Sequence, residues 1–130
     1  MNQREAMKRT RTVEDVLITN WAVYTCTHFQ IRNSALITGA NESGKSTIID
    51  ALTYAVFGIT DFNIQAGAGE DERSVIAYVK GDTKDNEDRF LRGDQDVTSY
   101  IAVDVFNPAD GSYLTEGVCI ELYKGDTQTR

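Results

Sequence analysis

The pattern of hydrophobic and polar residues predicts two β-segments in the first half of this chain and two strands near its end. In the first half, residues 16–24 and 27–31 are rich in β-branched and aromatic residues. In the second half, residues 98–106 and 113–123 have the same character, and the turn at 107–112 contains Asn, Pro, Asp and Gly. The pattern therefore predicts a hairpin near the end of the chain and two β-segments near its beginning.

The middle of the chain predicts one buried strand and two helices. The apolar run 34–39 ends in glycine and is typical of a central strand. Residues 46–57 predict a helix that Gly58 ends. The apolar side of this helix is expected to contain Ile48, Ile49, Leu52, Ala55 and Val56. Residues 71–81 predict a shorter helix with acidic residues in its first turn.

These elements predict an α/β domain of two sheets, one of them antiparallel. The polar residues 1–12 predict a flexible N-terminal tail, so we expect the domain to span residues 13–130. No apolar run approaches the roughly 18 residues of a membrane span, and no signal peptide is evident, which favours a cytoplasmic protein without membrane contact.

The charge predicts that this domain alone is a poor nonspecific binder of nucleic acid, unless it has a local basic surface. The formal net charge is −7, and most of it lies in residues 61–130, which carry fifteen acidic and seven basic side chains. A net acidic surface repels the phosphate backbone. We expect Cys26 and Cys119 to be small buried strand residues, and His28 to be a strand residue without a metal role.

The central motif lies between the apolar run and the first helix. Residues 39–46 read Gly-Ala-Asn-Glu-Ser-Gly-Lys-Ser and satisfy the P-loop pattern G-x-x-x-x-G-K-[ST], directly after a predicted strand. Gly39 permits a tight turn, and Gly44 permits close approach of the backbone to phosphate. The predicted binding residues are Gly39, Asn41, Ser43, Gly44, Lys45, Ser46 and Thr47.

Each polar residue of this motif has a predicted task in binding ATP and Mg²⁺. Lys45 supplies the catalytic positive charge at the β- and γ-phosphates, and the Ser46 hydroxyl is a ligand of Mg²⁺. Thr47 adds a hydroxyl near the α-phosphate, and the backbone amides of 41–47 surround the β-phosphate.

The second half of a hydrolytic site is missing from the sequence. Hydrolysis needs a Walker B acid on Mg²⁺ and a group that positions water. Asp104 is the nearest candidate, but it lies within a predicted strand and is expected to face solvent.

Residues 36–58, LITGANESGKSTIIDALTYAVFG, resemble the N-terminal half of an ABC-type ATPase head of the SMC-like superfamily. In that superfamily the signature motif and Walker B follow only after a long coiled coil and a hinge. The resemblance implies that the C-terminal half of the same head completes the site, that two heads form a dimer around ATP, and that the chain is cut before a coiled coil.

Residues 62–82 and 89–118 are similar to the MukB-like family that includes the JetC ATPases of Wadjet plasmid defence. This narrower resemblance implies DNA loop extrusion or clamping by a full complex with kleisin-type subunits and a nuclease subunit. It also matches Arg73 to a family arginine near nucleotide or DNA, although a surface salt bridge to Glu70 or Asp71 is the alternative. The family's Q-loop glutamine has no clear equivalent, since Asn107 and Gln95 are the nearest polar residues.

Two other functions remain open from the sequence. One is a DNA-repair ATPase of the SbcC or RecF type, which the length of the coiled coil after residue 130 would distinguish. The other is a nucleotide-sensing module that binds ATP without hydrolysing it.

Overall fold

The computed structural model describes residues 10–31, 45–60, 62, 74–83 and 89–125. Its strands are β1 (Thr12–Trp21), β2 (Tyr24–Gln30), β3 (Val97–Asn107) and β4 (Ser112–Leu122), and its helices are α1 (Lys45–Phe57) and α2 (Val75–Lys80). The predicted strand at 34–39 lies outside this part of the chain, as do most of the loop at 59–70 and nearly all of the predicted N-terminal tail.

The four strands form one antiparallel sheet in the order β2-β1-β3-β4. The two hairpins meet where β1 pairs with β3, from Thr12 opposite Phe106 to Thr19 opposite Tyr100. The antiparallel part of the predicted α/β fold is therefore confirmed. The second predicted sheet has no strand among the described residues.

The turn between β1 and β2 differs from the sequence prediction. Residues 16–24 were expected to form one strand, but the chain turns at Ala22 and Val23, and Trp21 pairs with Tyr24. Asn20 and Ala22 have left-handed φ values of 49° and 51°, without any glycine to indicate it. Asn20 breaks the alternation of the strand, so the side chain of Trp21 joins the core beside those of Val16 and Ile18.

Both helices pack on one face of the sheet, which we call the inner face. Its buried side chains come from alternate strand positions and include Val16, Ile18, Val97, Ile101, Val103, Ile120 and Leu122. Ala51 of α1 and Val79 of α2 complete this core. One layer of helices on one layer of sheet is an ordinary way to bury an apolar face.

The opposite, outer face of the sheet is open to solvent. It comprises Asp15, Leu17, Thr19, Cys26, His28, Tyr100, Ala102, Asp104, Tyr113, Thr115, Gly117, Cys119 and Glu121. Cys26 and Cys119 are free and exposed on this face, so the expectation that they are buried is wrong. Strand alternation places them opposite to the inner face, which strand composition alone does not reveal.

Two acidic residues are direct cross-strand neighbours on the outer face. Asp15 of β1 is opposite Asp104 of β3, an arrangement that repels. Each carboxylate has a polar partner: His28 Nε2 lies 3.0 Å from Asp15, and the Thr115 hydroxyl donates to Asp104 at 2.5 Å. The expectation that His28 is a strand residue is confirmed.

Helix α2 is shorter than predicted and has well-defined ends. Ser74 caps it, because its hydroxyl accepts a hydrogen bond from the Ala77 amide at 3.1 Å. Gly81 ends it in the left-handed conformation, with φ of 73°. The acidic residues predicted for the first turn, at 71 and 72, lie outside the described residues.

Arg92 holds the end of α2 against the β1–β2 turn. Its guanidinium donates to the carbonyl oxygens of Val79 at 2.8 Å and Ala22 at 2.7 Å. Burial lowers the pKa of this guanidinium, and carbonyl oxygens replace the water that it loses. The segment predicted to be charged and strand-poor, residues 82–97, thus supplies a structural contact.

Candidate nucleotide-binding site

Helix α1 carries the described part of the P-loop motif. It begins at Lys45, and half-buried Ser46 and Thr47 occupy its first turn. The other predicted binding residues, Gly39, Asn41, Ser43, Gly44 and Arg73, lie outside the described residues, so their roles stay predictions. Gly58 ends the helix with φ of 68°, as the sequence predicts.

The N-terminal end of α1 suits an anion. The first four backbone amides of any helix lack partners within the helix, and the helix dipole adds positive potential there. The first turn of α1 contains no acidic residue that would compensate this potential. A 13-residue helix with Ser46 and Thr47 at this end is therefore able to bind phosphate oxygens.

The first turn of α1 is bound to strand β1 through Trp21. The indole Nε1 of Trp21 donates to the carbonyl oxygen of Thr47 at 3.0 Å. Trp21 is fully buried, so this hydrogen bond is shielded from water. The position of Thr47 is thereby fixed relative to the sheet.

A buried carboxylate lies on the next turn of the helix. Asp50 is only 6% exposed, and its Oδ2 accepts a short hydrogen bond from the hydroxyl of Tyr78 on α2. Burying a carboxylate is costly unless hydrogen bonds replace its water. The two helices are therefore joined by a polar contact in which the Tyr78 hydroxyl helps to replace the water that Asp50 has lost.

Four aromatic rings surround these two hydrogen bonds. Trp21 stacks on Tyr78, with 4.6 Å between ring centroids and 16° between planes. Tyr54 of α1 also stacks on Trp21, while Phe62 meets Trp21 edge-on. We call Trp21, Tyr54, Phe62 and Tyr78 the aromatic cluster. It connects β1, both helices and the segment after α1.

Helix α1 is apolar on more sides than the sheet can cover. Ile48, Ala51 and Leu52 join the core against the inner face. On another side, however, Ile49 is 48% exposed and Phe57 is 73% exposed. Ile49, which the sequence groups with the other apolar residues of the helix, is therefore exposed in this structure. A helix that is hydrophobic all round is typical of a helix between two layers.

Asp104 is not positioned to act as a Walker B acid for α1. Its side chain lies on the outer face, whereas α1 packs on the inner face. The expectation of a solvent-facing strand residue is confirmed.

Of the two Q-loop candidates, Asn107 accepts a hydrogen bond from the Ala109 amide in the hairpin turn, and Gln95 is exposed.

Of the residues in the site, sequence reasoning did not single out Trp21, Asp50 or Tyr78. One signal was available: Asp50 is an acidic residue within the otherwise apolar sequence STIIDALTYAVF. An acid at such a position has to find a hydrogen-bond donor when the helix is buried. Nothing in the sequence identifies Tyr78 as that donor.

Mg²⁺ would find one protein ligand in the described part of the site. The Ser46 hydroxyl is an oxygen donor of the type that Mg²⁺ prefers, and nucleotide oxygens and water usually complete its shell. The described residues contain no group of three or more His, Cys, Asp or Glu side chains arranged for a metal ion.

Among the described residues there is also no helix long and apolar enough to cross a membrane.

Comparison with known proteins relates the site to one family. The family model described as the P-loop containing region of AAA domain matches residues 13–69. This range includes all of β1 except its first residue, strand β2, the P-loop motif and helix α1. Comparison with curated proteins gives no significant match. Residues 13–69 therefore form a P-loop NTPase-like region.

Proposed function

We propose that this chain is the ATP·Mg²⁺-binding half of an SMC-like ATPase head. The observation that carries the proposal is helix α1, which begins at the lysine of the sequence GANESGKS and exposes large apolar side chains away from its own sheet. The motif and the family match support nucleotide binding. The exposed apolar side supports a domain that is completed by another layer of structure.

The missing layer is, in this proposal, the C-terminal half of the same head. Ile49, Phe57 and Ile59 are 48%, 73% and 45% exposed. Covering each such side chain contributes about 1 to 2 kcal/mol, because apolar burial is worth roughly 25 cal/mol per Å². An acid for Mg²⁺ and a group that orients water would arrive with the same half, since Asp50 is buried against Tyr78 and Asp104 lies on the outer face.

In this proposal, the present chain binds the nucleotide, and the other half of the head supplies the residues that activate water. In our proposal the Lys45 ammonium contacts the β- and γ-phosphates, Ser46 donates an oxygen ligand to Mg²⁺, and Thr47 lies near the α-phosphate. These groups orient ATP and offset its charge. Hydrolysis requires water activation by residues outside this chain, within a dimer of two heads.

The biological process that we propose rests on the resemblance of this sequence to a known family. Similarity to MukB-like and JetC proteins supports a DNA-clamping or loop-extruding motor in plasmid defence or chromosome maintenance, with kleisin-type and nuclease subunits. A repair ATPase of the SbcC or RecF type would use the same half-site. The partners distinguish these processes, so co-purification of a kleisin-type subunit with the intact protein would favour the first.

The test of nucleotide binding is the affinity of the intact protein for ATP·Mg²⁺, measured by calorimetry. Lys45→Ala should weaken binding at least about 30-fold, since a charge-assisted phosphate contact is worth roughly 2 kcal/mol. Lys124→Ala is the matched control, because Lys124 is exposed after β4 and far along the chain from the motif. Equal affinity of both variants would contradict the assigned role of Lys45.

ATP turnover tests the proposal that this chain is one half of an ATPase head, which we call the half-head proposal. Residues 1–130 alone should not hydrolyse ATP, whereas the intact protein should do so. Turnover by the isolated chain would overturn the half-head proposal. ATP binding without turnover in the intact protein would instead establish the nucleotide sensor.

A further inference from the structure

Three buried residues form a closed path of contacts between α1 and α2. Trp21 donates to the Thr47 carbonyl, Tyr78 donates to Asp50, and the rings of Trp21 and Tyr78 stack. Thr47 and Asp50 are three positions apart, so they lie on the same side of α1. Both hydrogen bonds of this path therefore reach the same side of α1, close to its N-terminal end.

The path also continues through the backbone of α2. The Ala22 amide, directly after Trp21, donates to the Tyr78 carbonyl at 2.7 Å. Tyr78 is thus held through its backbone, its ring and its hydroxyl. A movement of the first turn of α1 relative to the sheet would disturb at least one of these contacts.

We propose that Trp21, Asp50 and Tyr78 are positioning residues that hold the first turn of α1 in its phosphate-binding orientation and transmit nucleotide occupancy to α2. The inference rests on the proposed nucleotide site, because it concerns how that site is held. Trp21 holds the first turn of α1 through the carbonyl oxygen of Thr47. Asp50 and Tyr78 hold the following turn through their side-chain hydrogen bond. None of the three residues contacts nucleotide in this proposal.

Binding at the N-terminal end of α1 has a mechanical consequence in this arrangement. Phosphate draws the amides of the first turn toward itself, and so restrains the turn that carries Ser46 and Thr47. The restraint reaches α2 because the rigid ring of Tyr78 packs against both Trp21 and Phe62. ATP should therefore reduce local opening of α2, a six-residue helix that is marginal on its own.

The experiment measures amide hydrogen exchange of residues 75–81 in the intact protein, with and without ATP·Mg²⁺. In the unmodified protein, ATP should slow this exchange at least about threefold. Tyr78→Phe keeps the ring but removes the donor to Asp50, so it should abolish the ATP-dependent slowing. It should also weaken ATP binding about fivefold, the effect of losing one hydrogen bond.

Two further variants separate positioning from simple stability. Asp50→Asn keeps an oxygen that accepts from Tyr78, so the ATP-dependent slowing should remain. Tyr100→Phe is the matched control, because it removes a phenolic hydroxyl on the outer face. A purely structural role for Tyr78 would raise exchange equally with and without ATP, and this would overturn the proposal.

The failures of the two proposals can be told apart. If the unmodified protein binds ATP but the exchange of residues 75–81 is unchanged, the positioning inference is wrong and the nucleotide site stands. If the unmodified protein binds no ATP, the proposed function is wrong and the inference falls with it.

Discussion

Trp21 of β1 donates a hydrogen bond from its indole Nε1 to the carbonyl oxygen of Thr47, 3.0 Å away, in the first turn of α1. The two residues are 26 positions apart, and the P-loop motif lies between them. A strand that precedes the motif in the chain and the helix that begins within it are therefore joined by a buried hydrogen bond. Several consequences of this and neighbouring contacts can be measured.

Replacing Trp21 by Phe should lower the free energy of unfolding by about 2 kcal/mol, from the lost hydrogen bond and the smaller ring. Denaturant unfolding monitored by circular dichroism measures the change. In the unmodified protein the indole N–H should exchange slowly with solvent, because it is buried and bonded. Rapid exchange of this proton would contradict the contact.

Replacing Arg92 by Met should destabilise the protein by about 3 kcal/mol. The variant leaves the carbonyl oxygens of Ala22 and Val79 without their guanidinium donor. Thermal unfolding measures the loss. Arg11→Met removes the same charge from an exposed position and should leave the melting temperature nearly unchanged. Similar losses in both variants would mean that net charge, not the buried contact, is responsible.

Gly117 should not tolerate even a methyl group. A β-carbon there would lie 2.2 Å from the Ile101 carbonyl oxygen and 2.8 Å from the Ala102 Cα, both on the paired strand β3. Gly117→Ala should therefore cost about 3 kcal/mol of stability. Gly111→Asn is a suitable control, because open space surrounds that glycine and Asn tolerates its φ of 73°. An unchanged unfolding midpoint for Gly117→Ala would refute the close approach.

The hairpin turn between β3 and β4 should show a pH-dependent contact. The amide and hydroxyl of Ser112 donate to Asp110 Oδ1 at 2.9 and 2.6 Å and lower the pKa of this carboxyl. Because the folded-state pKa is depressed, the contact stabilises the turn above the unfolded pKa and is lost as pH falls through the folded value. Ser112→Ala should raise the pKa of Asp110, measured by NMR titration. A pKa that does not move would exclude the Ser112 hydroxyl as a cause.

The β3–β4 hairpin and the helix α1 were predictable from local patterns. Alternation over 98–106 and the turn residues Asn107 to Ser112 agree with the structure to within a residue. Gly58 ended α1 as expected, since it supplies the left-handed conformation at no steric cost. In both cases the signal lies in a few adjacent residues.

The features that the sequence did not predict depend on distant parts of the chain. The turn at Ala22 and Val23 has no glycine, and its backbone is held by the bond from the Ala22 amide to Tyr78. The exposure of Cys119 depends on which face of the sheet the helices cover. The partner of Asp50 comes from a helix 28 positions later, so no local pattern could identify it.

The aromatic cluster gives this chain an optical signal of its own. Trp21 is the only tryptophan in its 130 residues, and it is buried against Tyr54 and Tyr78. Its emission should be blue-shifted, and light absorbed by the two tyrosines should reach it by energy transfer. Since its indole N–H is bonded to the first turn of α1, fluorescence can follow that turn without any added dye.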